Sequence, residues 1–318
     1  MKLAYPILAV TTSAALLSAC ASGPKAPPRY NASASPQAQA AQFIEAINKK
    51  GNNGVQKVGL TTCQVAFATH QSGSSQTSGH FFDTRKNTVE AKVRQHYYLK
   101  GISDAELQTL AEQMCAEGER QLIAAGFDVV PSSQIRQMPE YQEFYAAGTP
   151  SPFKTEIAKT EYTVVAPAGF AITDESTTNR AAGGLGGIAN AFKQAGGANA
   201  ATKEATLGFK NGFAPARLLY TVDVASIEER KGVMGVNNTA EVSATVNLQV
   251  GGQLMLVPLD AMGKRSPRDE TRFYIANSVP TYLSKLPVTD DTVFYSSVEE
   301  VTSTGDKLAD GFSKVVGF

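Results

Sequence analysis

The chain has no excess charge of either sign: 29 Lys and Arg balance 29 Asp and Glu across 318 residues. No run of basic residues is longer than a pair such as Lys49-Lys50. There is therefore no electrostatic footprint for a polyanion, and nucleic acid is excluded as a partner. Cysteine and histidine are scarce, at three each. His70, His80 and His96 are not spaced to share a helix face, and no close Cys/His pair offers the spacing of a zinc site, so no metal is expected. The spacing Gly-x-Ser-x-Gly of a nucleophile elbow is missing, since Gly73-Ser74-Ser75-Gln76 and Gly79 fall out of step with it. Gly183-Gly184-Leu185-Gly186-Gly187 lacks the lysine and the feeding strand of a phosphate-cradling loop. Asp290-Asp291 and Glu299-Glu300 read as a turn and a helix N-terminus, where negative charge suits the helix dipole. No catalytic residue and no cofactor can be named, and the chain is expected to be non-enzymatic.

What the sequence does carry begins near its start. Lys2 leads a short apolar run, Tyr5 to Leu17, which ends at Leu17-Ser18-Ala19-Cys20. A basic start, a short apolar stretch and small residues make a secretory signal, too short to span a bilayer. With cysteine placed directly after the small residues, the arrangement resembles the bacterial lipoprotein signal. That resemblance implies cleavage before Cys20, followed by acylation of its thiol and new amino terminus, with palmitate among the chains. Two or more acyl chains hold stably, at about 0.8 kcal/mol per buried CH₂. No transmembrane helix is then needed, and no apolar run long enough for one follows residue 20. Residue 21 is Ala and not Asp. By resemblance to lipoproteins of the Gram-negative envelope, this implies the periplasmic face of the outer membrane.

Lipidation of Cys20 leaves Cys63 and Cys115, an even number in an oxidising compartment. Cys63 sits in the strand-like run Val58 to Phe67, on the face of Val65 and Phe67. Cys115 sits on a helix stripe with Ala111, Gly118 and Leu122. A bridge between those faces would close a loop of about 50 residues and contribute roughly 4 kcal/mol on the chain-entropy model. Two buried free thiols acting as small apolar side chains are the alternative.

Residues 1–19 read as signal peptide. Residues 20–54 read as the lipidated cysteine, a Gly/Ser/Pro tether to Ser35, and a short helix from Gln37 to Lys50 capped by Ser35-Pro36. Residues 55–318 then form one domain, with an irregular insertion at about 134–210. The hydrophobic fraction of 42% supports a core. A strand is expected over Val58 to Thr69, and a surface loop over Gln71 to Gly79. The clearest helix opens at the capping box Ser103-Asp104-Ala105-Glu106. It presents Leu107, Leu110, Ala111, Met114, Gly118, Leu122 and Ala125 to the core and ends at Gly126. Phe127 to Val130 follows as a short strand, Gln134 to Phe153 as a surface wrap, and Tyr162 to Ile172 as an edge or bulged strand. Ala181 to Ala201 reads as a weak helix broken at Gly196-Gly197.

Arg217 to Glu229 and Ala240 to Val250 read as an antiparallel pair, the second alternating cleanly. Gly251-Gly252 marks a bulge or turn. A closing amphipathic helix is expected from Ser297, with Val298, Val301, Leu308, Phe312 and Val315 on one face. The fold class is α/β (α+β): a mixed or antiparallel sheet packed by amphipathic helices.

The order of these elements, with a leading helix running into Ala-Gly-Phe-Asp-Val-Val-Pro-Ser-Ser (125–133), resembles the curli-secretion lipoprotein group. The lipoprotein activators of penicillin-binding proteins and the amino-terminal domain of the Tol-system propeller protein share that resemblance. It covers Val58 to Val130 and Arg217 to Arg265 and implies the fold; no functional residues are carried over. The expected function is protein–protein contact in envelope assembly or secretion. A hydrolase of envelope material with an unrecognised site, using His70 or His80 as base, is one alternative. A component of an oligomeric secretion pore is the other. The pair Arg217–Glu229 and Ala240–Val250 is long enough to cross an outer membrane as a hairpin, but Asp223, Glu228, Glu229 and Arg230 favour an ordinary sheet packed by helices.

Overall fold

The computed structural model describes residues 31, 33–47, 54–78, 92–157, 159–170, 172, 198–230, 232–233, 241–256, 281–284, 287–290, 298–305 and 313–316. The signal segment, Cys20, His80 and most of Ala181 to Ala201 lie outside them. Helices and a mixed, largely antiparallel sheet make up the described residues, so the α+β class holds.

The organising element is β2 (Lys57–Ser78), 22 residues long. Its first half is buried from Val58 to Ala68. Along one edge it runs parallel to β7 (Ala214–Arg230), from Val58 opposite Ala214 to Phe67 opposite Val222. β4 (Asp128–Val130) lies parallel to its start, and β6 (Thr160–Val165) runs antiparallel from Val65 to Gln71. β5 (Phe153–Ile157) pairs with β6. Beyond β7 come β9 (Glu241–Leu256), then β10 (Tyr282–Ser284) and β1 (Ile44–Ala46). The expected antiparallel pair is thus present, running from Ala216–Leu256 to Arg230–Glu241. β11 (Val288–Asp290) also joins β9, and the two-residue β8 (Gly232–Val233) runs parallel to the end of β2 at Thr77 and Ser78.

The composition of Gln71 to Gly79 predicts a loop, but β2 continues through Ser78. β3 (Lys92–Leu99) pairs with it from His70–Tyr98 to Gln76–Lys92. β3 and β6 both pair with His70 and Gln71, so they flank opposite edges of β2. By the same logic β6 and β7 are on opposite edges, so β3 inherits the edge that β7 leaves at Phe67. The β7–β9 hairpin then passes across the face of β2–β3. A Cβ built on Gly73 would lie 2.4 Å from Ile227 Cγ2 and 2.9 Å from Val242 Cγ1. Only glycine admits that approach. Tyr97, Val224 and Ala225 are buried there, with Leu99, Ile227, Ala244 and Val246 packed around them. The apolar side of the hairpin, considered above for a membrane crossing, therefore covers β2 and β3.

Gln71 makes this change of partner possible. Its buried Oε1 accepts from Val224 N at 3.0 Å and Ala225 N at 2.9 Å, and its Nε2 donates to Ala225 O at 3.2 Å. One side-chain amide does the work of the ladder bonds that β2 no longer makes to β7. A register shift in the β7–β9 ladder falls at the same point, between Asp223 and Ala225.

Helices cover both faces of the lower sheet. α2 (Asp104–Ala124) starts at the expected capping box: Ser103 Oγ accepts from Glu106 N, and Glu106 Oε2 accepts from Ser103 N at 2.8 Å. Gly126, at φ 91°, ends it. Its buried line is Leu107, Ala111, Cys115, Gly118 and Leu122; Leu110, expected in the core, is exposed. Cys115 and Cys63 are joined, with Cα atoms 5.9 Å apart. Leu218 stands opposite Cys63, and Arg217 beside it points to the other face. There Arg217 Nε meets Glu204 Oε2 at 2.7 Å, a second guanidinium nitrogen contacts the same oxygen, and Thr61 Oγ1 donates to Glu204. Glu204 belongs to α5 (Ala198–Asn211), so α2 and α5 lie on opposite faces. Removing either charge of this buried pair would strand the other.

Gln134 to Phe153 does not wrap the surface. It supplies α3 (Ser132–Ile135, starting two residues earlier) and α4 (Pro139–Ala146). Ile135, Tyr141 and Phe144 from these helices form a second core with Val130, Leu207 and Phe213. The aromatic residues of the segment are its burial signal.

Three other expectations are corrected. Gly251-Gly252 is neither a turn nor a bulge, because β9 runs on to Leu256; a Cβ at Gly252 would sit 2.7 Å from Leu219 O, so glycine serves close strand approach. The strand expected from Tyr162 to Ile172 stops at Val165, and Pro167 to Phe170 form a turn with Gly169 at φ 83°. The helix expected from Ser297 is replaced by β12 (Val298–Gly305), paired with β3, and β13 (Ser313–Val316). Glu299 and Glu300 are accordingly strand residues. Val298, Val301, Thr302 and Thr304 are β-branched, and pairing with β3 satisfies a backbone edge that a helix would have left open. At the other end, α1 (Pro36–Phe43) has the expected Ser35 cap but stops at Phe43, because Ile44 turns extended to pair with β10.

Gln71→Leu keeps the bulk at this site but leaves Val224 N–H, Ala225 N–H and Ala225 C=O without their partner. Chemical denaturation should show a loss of at least about 2 kcal/mol. An unchanged midpoint would mean that Gln71 is not what seals the junction.

Candidate functional site

One cluster of titratable side chains lies where β2 changes partner. Cross-strand partners share a face, so Glu161 on β6, His70 on β2 and Tyr98 on β3 form one row. His96 faces Ser72 in the next row. His70 Nδ1 lies 3.1 Å from Glu161 Oε1, and His70 Nε2 lies 3.0 Å from His96 Nδ1. The rings are stacked, with His70 centred 4.5 Å from Tyr98 and 5.2 Å from His96. Lys100 Nζ sits 5.2 Å over the Tyr98 ring.

The hydrogen-bond roles follow from the tautomers. If His70 gives its Nδ1 proton to Glu161, its Nε2 is free to accept the Nδ1 proton of His96. If His70 carries both protons, it donates at both ends and His96 Nδ1 accepts. With both rings doubly protonated, the bond between them has no acceptor and is lost. Burial, then the neighbouring His70, then Arg94 hold His96 below the ordinary histidine value of 6.5. The array is thus a carboxylate–imidazole–imidazole relay.

A relay becomes a catalytic site only beside a cavity that holds a substrate. A cleft of about 250 Å³ lies elsewhere, between α2, α3 and the turn at 167–170. Its polar groups are largely engaged with each other: Glu119 accepts from Ser132 N and Oγ at 2.9 and 2.8 Å, and Arg136 donates to Ala168 O at 2.7 Å. Arg136 also lies 5.5 Å over the Phe170 ring. No histidine lines this cleft. Among the described residues, no three His, Cys, Asp or Glu side chains converge as metal ligands.

Of the residues singled out from sequence, Cys63 and Cys115 are brought together, and His70 meets a carboxylate. His96, Tyr98 and Glu161 were not assigned to a site. The signal that could have found them is alternation in β2 and β3, which puts His70 with Ser72 and His96 with Tyr98 on one face. Reading Gln71 to Gly79 as a loop concealed it. No known protein family, curated protein or solved structure matches the chain.

The native state binds the His96 proton less readily than the unfolded chain does. Below about pH 6.5 the unfolded state therefore takes up more protons, and stability from this group is full above that value and lost as pH falls. Thermal unfolding should show a decline from about pH 7.5 to about pH 5 that is smaller in His96→Gln. A His96 ring that titrates above 6.5 by NMR would contradict the assignment.

Proposed function

We propose that this chain is a lipoprotein, cleaved before Cys20, acylated there, and held on the periplasmic face of an outer membrane. It acts through protein contacts in envelope assembly or secretion. The observation that carries this reading is the pairing of two facts about its three cysteines. Cys20 directly follows a short apolar run and small residues, while Cys63 and Cys115 are joined inside the fold. A structural disulfide suits an oxidising compartment outside the cytoplasm, and its formation leaves Cys20 as the one thiol available for a lipid. No helix among the described residues is long and apolar enough to cross a membrane.

Protein contact is supported by an open strand edge. Among the described residues, β5 pairs only with β6. Such an edge accepts an added strand, and on β5 the exposed Lys154 and Glu156 limit that to a matched partner. The hydrolase alternative has the Glu161–His70–His96 relay in its favour. It stands second because the relay and the cleft are in different places. The pore alternative loses the argument from the β7–β9 hairpin, whose apolar side packs on β2 and β3.

Cys20→Ser should abolish incorporation of labelled palmitate and move the protein from the membrane to the soluble fraction of fractionated cells. A Cys20→Ser protein that stays with the membrane would overturn the anchor.

A further inference from the structure

The apolar face of the sheet runs out from under its helical cover. Cys63, Leu218, Leu254 and Tyr282 stand opposite one another on β2, β7, β9 and β10, and the row ends at Ala46 on β1. They share the face on which the disulfide pins α2. α2 covers the beginning of the row: Cys115 is bonded to Cys63, and Gly118 lies so close that a Cβ there would be 2.5 Å from Leu218 Cδ1. Exposure then rises outward. Leu254 is half-buried, Tyr282 is 41% exposed, and Ile44, on the Ala46 face of β1, is 42% exposed. Ile47, whose N–H continues the ladder to Thr281 O, is 50% exposed. Of the six large apolar side chains exposed among the described residues, Ile44 and Tyr282 therefore share one face of the β1–β10 pair, while Ile47, one residue past Ala46, lies with Glu45 on the other. Glu45, the charge on β1, pairs with Leu283 and points to the other face.

The position of this patch in the chain says what covers it. β1 follows Cys20 closely: fifteen residues separate Cys20 from the first residue of α1, and β1 begins where α1 ends. Fully extended, those fifteen residues reach about 50 Å at most. A surface tethered this closely meets its target at a high effective concentration, so even a small apolar area is sufficient for contact. Isoleucine enters the acyl boundary, and tyrosine, with an apolar ring and a polar tip, suits the headgroup level.

We infer that the β1–β10 edge rests on the lipid surface that holds Cys20, with Ile44 and Tyr282 in the boundary between headgroups and acyl chains. The inference rests on the proposed acylation of Cys20 and adds to it a fixed face toward the bilayer. Anchoring then orients the sheet as well as retaining it.

The chain contains no tryptophan, so a single introduced one reports alone. Full-length lipidated Tyr282→Trp protein is reconstituted into vesicles of phosphatidylethanolamine and phosphatidylglycerol, with and without bromine on the upper acyl carbons. Tyr145→Trp, a comparably exposed position at 44% on α4 of the second core, serves as control. A patch seated about 5–10 Å into the boundary should lose about half or more of its emission to the bromines, while position 145 keeps nearly all of its own. Protein that floats with the vesicles but shows no quenching at 282, or equal quenching at both positions, overturns the inference and leaves the anchor standing. A blue-shifted emission at 282 that bromine does not touch places a second copy or another protein on the patch, and also overturns it. Protein that does not float has no anchor, and both readings fall.

Discussion

The structure depends on one glutamine. β2 is too long to keep a single partner on one edge, and at Phe67 it exchanges β7 for β3. Strands that part in this way expose backbone groups, and buried ones cost about 1–3 kcal/mol each if left unpaired. Gln71 closes the gap by bonding Val224 and Ala225 through its side chain. Gly73, two residues on, gives the β7–β9 hairpin room to cross over the face of β2–β3. Small polar residues that look like loop composition are here the condition for one strand to serve two layers.

Below the junction the architecture is a sheet between helices, fixed by different chemistry on each face. A covalent bond, Cys63 to Cys115, holds α2 on one side. A buried ion pair, Arg217 to Glu204 with Thr61 attached, holds α5 on the other. The two fixings stand on adjacent residues of the β2–β7 ladder, so alternation alone carries them to opposite faces. A buried ion pair is weak evidence for stability, but breaking it by removing one partner is costly because the other charge is left buried.

Legibility followed periodicity. The capping box and stripe of α2 and the alternation of Glu241 to Val246 have clear periods, and the structure keeps them. The two cysteines were placed on the faces that meet. What was hidden depended on partners. The Gln71 to Ser78 stretch has no apolar period, because its order comes from β3 on its edge and the hairpin over its face. Val298 to Gly305 has spacing that fits a helix as well as a strand, and only the vacant edge of β3 decides between them. For the histidine relay, alternation gives only the faces of His70, His96 and Tyr98; the register that joins the three strands is stated by no local signal.

In the proposed function, a fold whose disulfide suits an oxidising compartment is tethered through a first cysteine that would carry the acyl chains. The relay at the junction adds a group that responds to acid, and the uncovered edge beside β1 gives the fold a side to turn toward lipid. All of this presupposes a polypeptide that begins at Cys20. The most direct measurement is the intact mass of the native protein taken from its own membrane, before and after reduction. The account predicts a chain starting at Cys20, heavier by the mass of its acyl chains, and gaining two hydrogens on reduction as Cys63 and Cys115 separate. A chain that starts upstream of Cys20, or whose first residue bears no acyl mass, would contradict it.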